Sequence, residues 1–395
     1  MTQDPNSKEN ATVTTNVGTT EITKLQDQDQ DPKFSDSTAI VDTLSTDFTF
    51  QHKIVWKNVI AYSIFHIFGL VGTYMAFSVY GKLLTSIFAV TSGIISGLGL
   101  TVGAHRHFTH KAFKATTATR RVLMLLFILN GQNSLWEWAR DHRQHHKYSD
   151  TDADPHNASR GFFFSHVGWL LSRKHPLVFK YGKDIDMSDL EADSWIMFQK
   201  KHFLLIYVLI SILLPCIIPV LLWNEHPLLS LLMMYFGRAT VVLNATWLIN
   251  SQAHISGMRP YDKSLLPAQN QCVSFFALGE GWHNYHHAFP WDYRTAELGT
   301  PYNLSTTVID FCAKRGWIYD LKFAKEKSVK RRIMRTGDNS HPKYGNPDEF
   351  KGTETLWNFW KSPANPTYKS KDCKPGPITI TREGYSFIYN EKRRK

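Results

Sequence analysis

Four long stretches of this sequence are almost free of charged residues. Three of them contain no Asp, Glu, Lys or Arg, and the fourth contains only Arg238. An α-helix needs about 20 predominantly apolar residues to cross a lipid bilayer, and each stretch is long enough. The pattern predicts an all-α integral membrane protein with four transmembrane helices, at about 58–81, 83–104, 203–224 and 227–253.

The four predicted helices pair into two hairpins. The connectors 80–82 and 223–226 are short, whereas the loop that joins the hairpins, 105–202, carries fifteen Lys and Arg residues. Lys and Arg residues close to the ends of spanning helices keep a loop in the cytosol. Seven of the fifteen lie there: Arg106, Lys111, Lys114, Arg120, Arg121, Lys200 and Lys201. The long loop and both chain termini are therefore predicted to face the cytosol.

One segment of the long loop, 121–138, is apolar but contains Gly131, Gln132, Asn133 and Glu137. These residues make it a poor spanning candidate, so we predict a buried or interfacial helix. The alternative is a fifth transmembrane helix, which would put the histidine motifs described below on opposite faces of the membrane.

Two polar tails flank a membrane domain that is predicted to occupy residues 51–320. Residues 1–50 are rich in Thr, Asp, Gln and Ser and lack the apolar core of a signal peptide, so we predict a disordered cytosolic tail. Residues 321–395 are polar and basic, and we predict a solvated cytosolic tail there.

The charge and the cysteines exclude several classes of protein. The formal net charge of +11 is spread along the chain without a nucleic-acid-binding motif, which argues against nucleic acid as a partner. Membrane lipid and a phosphate-bearing substrate suit this charge better. The four cysteines include no CxxC pair, so neither a disulfide framework nor a thiolate zinc site is indicated.

Three groups of histidines have the spacing of metal ligands. They are His105 and His110; His142, His145 and His146; and His283, His286 and His287. In the second and third groups the positions i, i+3 and i+4 lie on one face of a helix. In the first group the residues are five apart, about 140° around an ideal α-helix, so they share a face only if the helix ends near His105. We expect such an end.

The number of these histidines indicates two metal ions. Eight imidazoles are more than the four ligands of one tetrahedral zinc site. Imidazole binds iron, zinc and copper alike, so the ligand type does not identify the metal. All three groups lie at the predicted cytosolic ends of spanning segments, as a shared site requires.

The pattern HxxxxH, HxxHH and HxxHH between two transmembrane hairpins resembles the membrane fatty-acid desaturases. The strings WEWARDHRQHHKYSDTDADPHN, NATWLINSQAH and GEGWHNYHHAFPWDYR resemble the acyl-CoA desaturases of the delta-9 (stearoyl-CoA) type in particular. The resemblance covers roughly His52 to Trp317. It implies a cytosolic helical cap, above the four spanning helices, that holds a dimetal site.

The resemblance also implies which residues hold two iron ions (Fe2+). The family's ligand positions match His105, His110, His142, His145, His146, His254, His283, His286 and His287, with Asn250 acting through a water molecule. His107 departs from the family, which usually has an apolar residue at that position. We expect His107 not to bind metal.

Substrate contacts are implied in the same way. Positions that contact coenzyme A match Asn58, Asn133, Arg140, Asp141, Arg173 and Lys174. Those that bend the acyl chain at the reacting carbons match Gln132, Trp138 and Thr246. Counting back from His105 without a gap, Gly93 and Gly97 fall where the family closes the methyl end of the tunnel.

The implied reaction is the O2-dependent insertion of a cis double bond into a saturated long-chain acyl-CoA, with delta-9 as the expected position. Electrons would come from cytochrome b5 and its NADH-dependent reductase, and the protein would lie in the endoplasmic reticulum membrane. An unactivated methylene has no useful acidity, so a metal-derived oxidant is needed. Three alternatives stay open: delta-10 or delta-11 desaturation, lipid hydroxylation, and metal transport without catalysis.

Overall fold

The computed structural model describes residues 44–78, 80–297 and 302–345, together with the backbone of two short strands near the carboxyl terminus. Most of the predicted tail 1–50, and most residues after 345, lie outside the described residues. The described chain is mostly helical, which confirms the predicted fold class.

In chain order the main helices are α1 (Trp56–Phe77), α2 (Leu83–Leu98, continued by Gly99–Thr109), α3 (Thr117–Asn130), α4 (Leu135–Lys147), α5 (Pro176–Gly182), α6 (Ser194–Lys201), α7 (Phe203–Trp223), α8 (Pro227–Ile255), α9 (Gln271–Phe276), α10 (His283–Ala288), α11 (Leu304–Lys314) and α12 (Glu326–Thr336). Shorter helical segments lie at Ala158–Arg160, Phe164–Gly168, Trp169–Leu171 and Ser188–Glu191. The antiparallel strand pairs are β1 (Lys114–Ala115) with β2 (Ile318–Tyr319), and β3 (Thr379–Thr381) with β4 (Gly384–Ser386).

Helices α1, α2, α7 and α8 are each long and apolar enough to cross a membrane. They form the two predicted hairpins, whose connectors meet at Glu225. The Glu225 carboxylate accepts hydrogen bonds from the Lys82 amide at 2.9 Å and from the Thr85 hydroxyl at 2.5 Å. The Lys82 ammonium donates to the Trp223 carbonyl at 2.8 Å. These contacts join the hairpins at the end that lies away from the histidines.

The apolar segment 121–138 does not span the membrane, as predicted. Its first part belongs to α3, whose 14 residues extend only about 21 Å. The helix ends at Gly131, which has the left-handed φ of 81° that glycine adopts without strain. Ser134 then begins α4 by accepting a hydrogen bond from the Glu137 amide at 3.3 Å. The chain thus turns back into the cap between the two helices.

Arg238, the only charged residue of the fourth apolar stretch, caps the carboxyl end of α3. Its guanidinium donates to the carbonyl oxygens of Leu129 at 2.8 Å and Ser211 at 3.0 Å. The Ser211 hydroxyl donates in turn to the Ile128 carbonyl. A cation at this end of a helix matches the negative end of its dipole. The buried charge therefore has a structural reason.

The expected helix end near His105 is wrong. Residues Gly99–Thr109 continue α2 as a π-helix, and the His110 amide donates to the His105 carbonyl at 3.1 Å. Because a π-helix pairs residues five apart, it places both imidazoles on one face. Their ring centroids lie 4.9 Å apart. A wider helical turn, rather than a break, brings these two histidines together.

One apolar core fixes the helices of the cap. Phe127 of α3 and Leu135 of α4 are fully buried in it, together with Ile196 of α6 and Ile309 of α11. The π-helical part of α2 contributes Leu100 and Phe108. Packing of this kind limits the movement of α2 and α4, which together carry five of the predicted ligands.

The predicted solvated tail does not begin at residue 321. Helix α12 packs on the cap through Val329 and Ile333, which are 2% and 5% exposed. Arg332 pairs with Asp262 at 2.5 Å. Two apolar positions four apart make a narrow stripe among many basic residues, and such a stripe is easily missed in a sequence. The folded part extends to at least residue 345.

We expect Ile333→Ala to lower the stability of the protein by about 2–5 kcal/mol, because the substitution leaves a cavity beneath α12. Met334→Ala is the matched control, since Met334 is 68% exposed and its truncation should leave stability nearly unchanged. Thermal unfolding in detergent measures both effects. Equal midpoints for Ile333→Ala and the unmodified protein would show that α12 is not packed.

Candidate metal centre

All nine predicted imidazoles lie together, in two groups. In the first group the nitrogens lie within 4.8 Å of one another; its members are His105, His110, His142, His146 and His286. Their Nε2 atoms converge: His105 and His286 approach to 3.0 Å, and His146 and His286 to 2.9 Å. Helices α2, α4 and α10 supply this group.

The second group contains four histidines. It consists of His145, His254, His283 and His287, again with nitrogens within 4.8 Å of one another. The Nε2 atom of His283 lies 3.1 Å from that of His254 and 3.2 Å from that of His287. Helices α4, α8 and α10 supply it.

The HxxHH spacing divides the histidines of each helix between the two groups. On α4, His142 and His146 lie one turn apart and join the first group, whereas His145 joins the second. On α10 the assignment is reversed, because His286 joins the first group while His283 and His287 join the second. The two helices therefore face each other across both groups, and the groups must be neighbours.

Three buried carboxylates orient the rings. The Nδ1 atom of His105 lies 3.0 Å from Glu280, that of His145 lies 2.8 Å from Asp154, and that of His254 lies 3.1 Å from Asp150. A neutral imidazole whose Nδ1–H points at a carboxylate presents a lone pair at Nε2. This is the usual support for metal-binding histidines, so the residues present fit a metal ion in each group.

Burial keeps most of these rings in the neutral form that binds metal. It lowers the pKa of His142, His146 and His287 well below the usual value, and the neighbouring imidazoles lower it further. For His145 burial also acts to lower the pKa, but the Asp154 carboxylate outweighs it and raises the pKa. Neutral imidazoles at pH 7 can bind a cation without first losing a proton.

His107 belongs to neither group. Its ring stacks on Phe113 with centroids 5.1 Å apart, and its Nδ1 lies 3.2 Å from the Phe113 carbonyl oxygen. The side chain therefore points away from both metal groups, as the sequence led us to expect. His107, the additional histidine in HRHFTH, is thus held by packing against Phe113.

A cavity of about 390 Å³ adjoins the first group through His142. Several predicted substrate residues line it, namely Gln132, Asn133, Trp138, Asp141 and Thr246, and so does Asn250, the predicted water-mediated ligand. Trp138 stacks on His142 with centroids 5.0 Å apart, and the Gln132 amide donates to the Thr246 hydroxyl at 2.8 Å. The residues predicted to shape the bend thus lie beside the histidines. Asn250 reaches the cavity from one helical turn before His254.

The other predicted coenzyme A contacts lie around Asp141 or close to α1. The Asp141 carboxylate pairs with Lys174 at 2.6 Å and with Arg140 at 2.7 Å. Burial acts to raise the pKa of Asp141, but these two cations lower it. Arg173 and Lys174 line a small neighbouring cleft, and the Asn58 amide donates to the Leu170 carbonyl at 2.8 Å.

Neither predicted tunnel-end glycine lines the cavity. A Cβ atom at Gly93 would lie 3.7 Å from Arg238 and from Val242, and one at Gly97 would lie 2.8 Å from Leu278. Gly97 permits close packing of α2 against Leu278, which was the alternative explanation of small residues in a membrane helix, whereas a Cβ atom at Gly93 would make only an ordinary contact. The prediction that they close the cavity is not supported.

The floor of the cavity is formed instead by residues that the sequence analysis did not single out. Among the lining residues of α7 and α8, Ser211 and Tyr235 lie nearest the end of the helices that is joined at Glu225. Along the helix axes, Ser211 is about 18 Å from the end of α7 and Tyr235 is about 12 Å from the start of α8. The Tyr235 hydroxyl is bonded to the Tyr207 hydroxyl at 2.8 Å. In the sequence, these residues could have been singled out because they are polar and lie within apolar stretches.

We expect His142→Ala and His287→Ala each to lower the metal content of the purified protein by about one ion per chain, because each removes a ligand from a different group. His107→Ala is the control and should retain the full content. Elemental analysis of detergent-purified protein measures the ratio. Unchanged metal in both ligand variants would contradict the assignment of the two groups.

Comparison with known proteins identifies the same region. The fatty acid desaturase family model matches residues 81–304. An acyl-CoA delta-9 desaturase of Acheta domesticus is 52% identical over 75% of this chain and 82% of its own. An acyl-CoA delta(11) desaturase of Trichoplusia ni is 52% identical over 73% and 83%, and an acyl-CoA delta12-desaturase of Acheta domesticus is 46% identical over 75% and 83%.

Proposed function

Because the chain belongs to the fatty acid desaturase family, we propose that it is an O2-dependent acyl-CoA desaturase that inserts a cis double bond at the delta-9 position of a saturated long-chain acyl-CoA. The observation that carries the proposal is a cavity lined by Asp141, by His142 and by residues of the spanning helices. Asp141 pairs with Arg140 and Lys174, which with Arg173 form a group that we call the cation cluster. A long acyl chain fits such a path.

The two imidazole groups would hold two iron ions (Fe2+). When bound, these ions supply the oxidant, made from O2, that removes one hydrogen from each of two adjacent methylenes. The protein contributes the position of those methylenes. Trp138 and the bonded pair Gln132–Thr246 narrow the cavity beside His142 and hold the chain in one conformation there.

The head of the substrate would bind at the cation cluster. Arg140 and Lys174 place two positive charges beside the Asp141 carboxylate, and Arg173 lines the same cleft as Lys174. Phosphate groups are strong acceptors for such cations. Asn58 and Asn133 would add hydrogen bonds at the same end. The apolar chain would then enter the cavity while the charged head stays in water.

The position of the double bond is the finer part of the proposal. Relatives of similar identity carry delta-9, delta-11 and delta-12 names, so the shared histidines do not determine the position. The register of the chain between the cation cluster and His142 determines it. We propose delta-9, with delta-10 or delta-11 desaturation and lipid hydroxylation as the alternatives.

The proposed location is the endoplasmic reticulum membrane, with the cap in the cytosol. The Lys and Arg residues of the loop 105–202 support this orientation. Cytochrome b5 and its NADH-dependent reductase are the proposed source of electrons. A cap that faces the cytosol would be accessible to both.

Expression in desaturase-deficient cells tests the proposal. We expect a new cis monounsaturated acid with its double bond at carbon 9, located by mass spectrometry of derivatised fatty acids. His146→Ala should abolish the product, and Asn250→Ala should reduce it less because its effect passes through water. A hydroxylated acid in place of the alkene would overturn the proposal, and so would full activity of His146→Ala.

The floor of the cavity predicts a chain-length effect. Tyr235→Ala should open the floor and admit about two more carbons. Each buried methylene contributes roughly 0.8 kcal/mol, so preference should shift about tenfold toward the longer acyl-CoA. Tyr235→Phe keeps the ring and should keep the profile. Competition between palmitoyl-CoA, stearoyl-CoA and a C20 analogue measures the shift, and identical profiles for all variants would place the floor elsewhere.

A further inference from the structure

The proposed reaction needs electrons that the substrate does not supply. Reducing O2 to two water molecules takes four electrons and four protons. The two broken C–H bonds give two electrons, and an external donor must give two more together with two protons from water. A surface of the chain must therefore accept a donor protein and connect it to the buried imidazoles.

A chain of aromatic rings leads from the surface to α10. Tyr344, which is half-buried, stacks on His341 with centroids 5.2 Å apart. His341 contacts Tyr261 at 5.7 Å, and Tyr261 contacts Tyr285 at 5.0 Å. Tyr285 precedes His286 in the sequence, so the last ring lies on the helix that supplies both metal groups.

The inner rings of this chain are held rigidly and excluded from water. His341 is 1% exposed, and Tyr261 and Tyr285 are fully buried. Glu297 binds both the Tyr261 hydroxyl, at 2.9 Å, and His341 Nε2, at 3.1 Å. Closely packed rings form a continuous medium through which an electron can tunnel without any ring being oxidised or reduced, and the rate of tunnelling falls steeply where the packing is interrupted.

The outer end of the ring chain is covered with positive charge. The ammonium groups of Lys330 and Lys343 lie 5.3 Å and 5.0 Å from the centre of the Tyr344 ring. Lys327 and Arg335 are exposed on the same helix, α12. Glu326 also lies at this surface and pairs with Lys343 at 2.6 Å. Among the residues that the structure describes here, the net charge is positive, so an acidic protein surface is the complementary partner.

We propose that α12, together with Lys343 and Tyr344, is the docking surface for an acidic, one-electron haem protein, and that electrons pass from it along Tyr344, His341, Tyr261 and Tyr285 to the imidazoles of α10. This inference rests on the proposed function. It assigns a role to the part of the chain that the sequence analysis took for a solvated tail. Two successive encounters with the donor deliver the two electrons.

Charge reversal tests the docking surface. Lys327→Glu with Lys330→Glu should weaken binding of the soluble haem domain of cytochrome b5 at least tenfold at low salt and remove most of the salt dependence. Lys180→Glu with Lys183→Glu makes the same charge change at exposed positions of α5 and should leave binding unchanged. Binding is measured by titration of the iron-loaded protein in nanodiscs. Equal weakening by both pairs, or by neither, would overturn the docking surface.

Ring deletion tests the path. Tyr261→Leu should slow reduction by the haem domain at least tenfold in stopped-flow measurements without changing its dissociation constant. Tyr261→Phe keeps the ring, loses the bond to Glu297, and should be reduced at nearly the original rate. If Tyr261→Leu loses iron, the same comparison is made with His341→Leu and His341→Phe. Reduction of a Leu variant as fast as the unmodified protein would overturn the path.

A chemical reductant separates this inference from the proposed function. With dithionite in place of the haem protein, every variant that keeps its iron should form the alkene in a single turnover at the unmodified rate. If the unmodified protein forms no alkene with dithionite, then the proposed function fails. If it does, and the α12 variants still bind and accept electrons normally, then only the docking assignment fails.

Discussion

Nine imidazole lone pairs that face one another in a buried space are the constraint on which the structure depends. Without a cation between them, such lone pairs repel each other and have lost the water that would otherwise solvate them. The arrangement persists because Glu280, Asp154 and Asp150 fix the outer nitrogens of three rings, and because packed helices hold the others. Holding the lone pairs together costs free energy, and binding of a cation would offset that cost.

The membrane helices help to hold the imidazoles and the cavity in place in two ways. A π-helical turn in α2 places His105 and His110 on one face, where an ordinary α-helix would separate them. Arg238 caps the end of α3 inside the membrane domain, which lets that short helix end beside the cavity with its carbonyl groups satisfied. The same cavity ends at the hydrogen-bonded pair Tyr207 and Tyr235.

Much of this could be read from the sequence, because its signals are local. Charge-free stretches predict the spanning helices, and the HxxHH spacing predicts shared helix faces. Spacing alone indicated eight of the nine histidines, whereas His254 came from motif resemblance because it has no local partner that would reveal it. The floor at Tyr235 and the packing of α12 were missed, because each depends on contacts between segments far apart in the sequence. The π turn was missed because the angle between His105 and His110 was taken from an ideal α-helix. Gly93 and Gly97 were reached by an ungapped count alone, and neither is among the residues that line the cavity.

The central claim is that two ions bind side by side, one in each imidazole group. Anomalous diffraction at the iron edge from crystals of the iron-loaded protein tests it most directly. The account predicts two iron peaks, one among His105, His110, His142, His146 and His286, and one among His145, His254, His283 and His287. A single peak, or iron bound at His107 or elsewhere outside these groups, would contradict it.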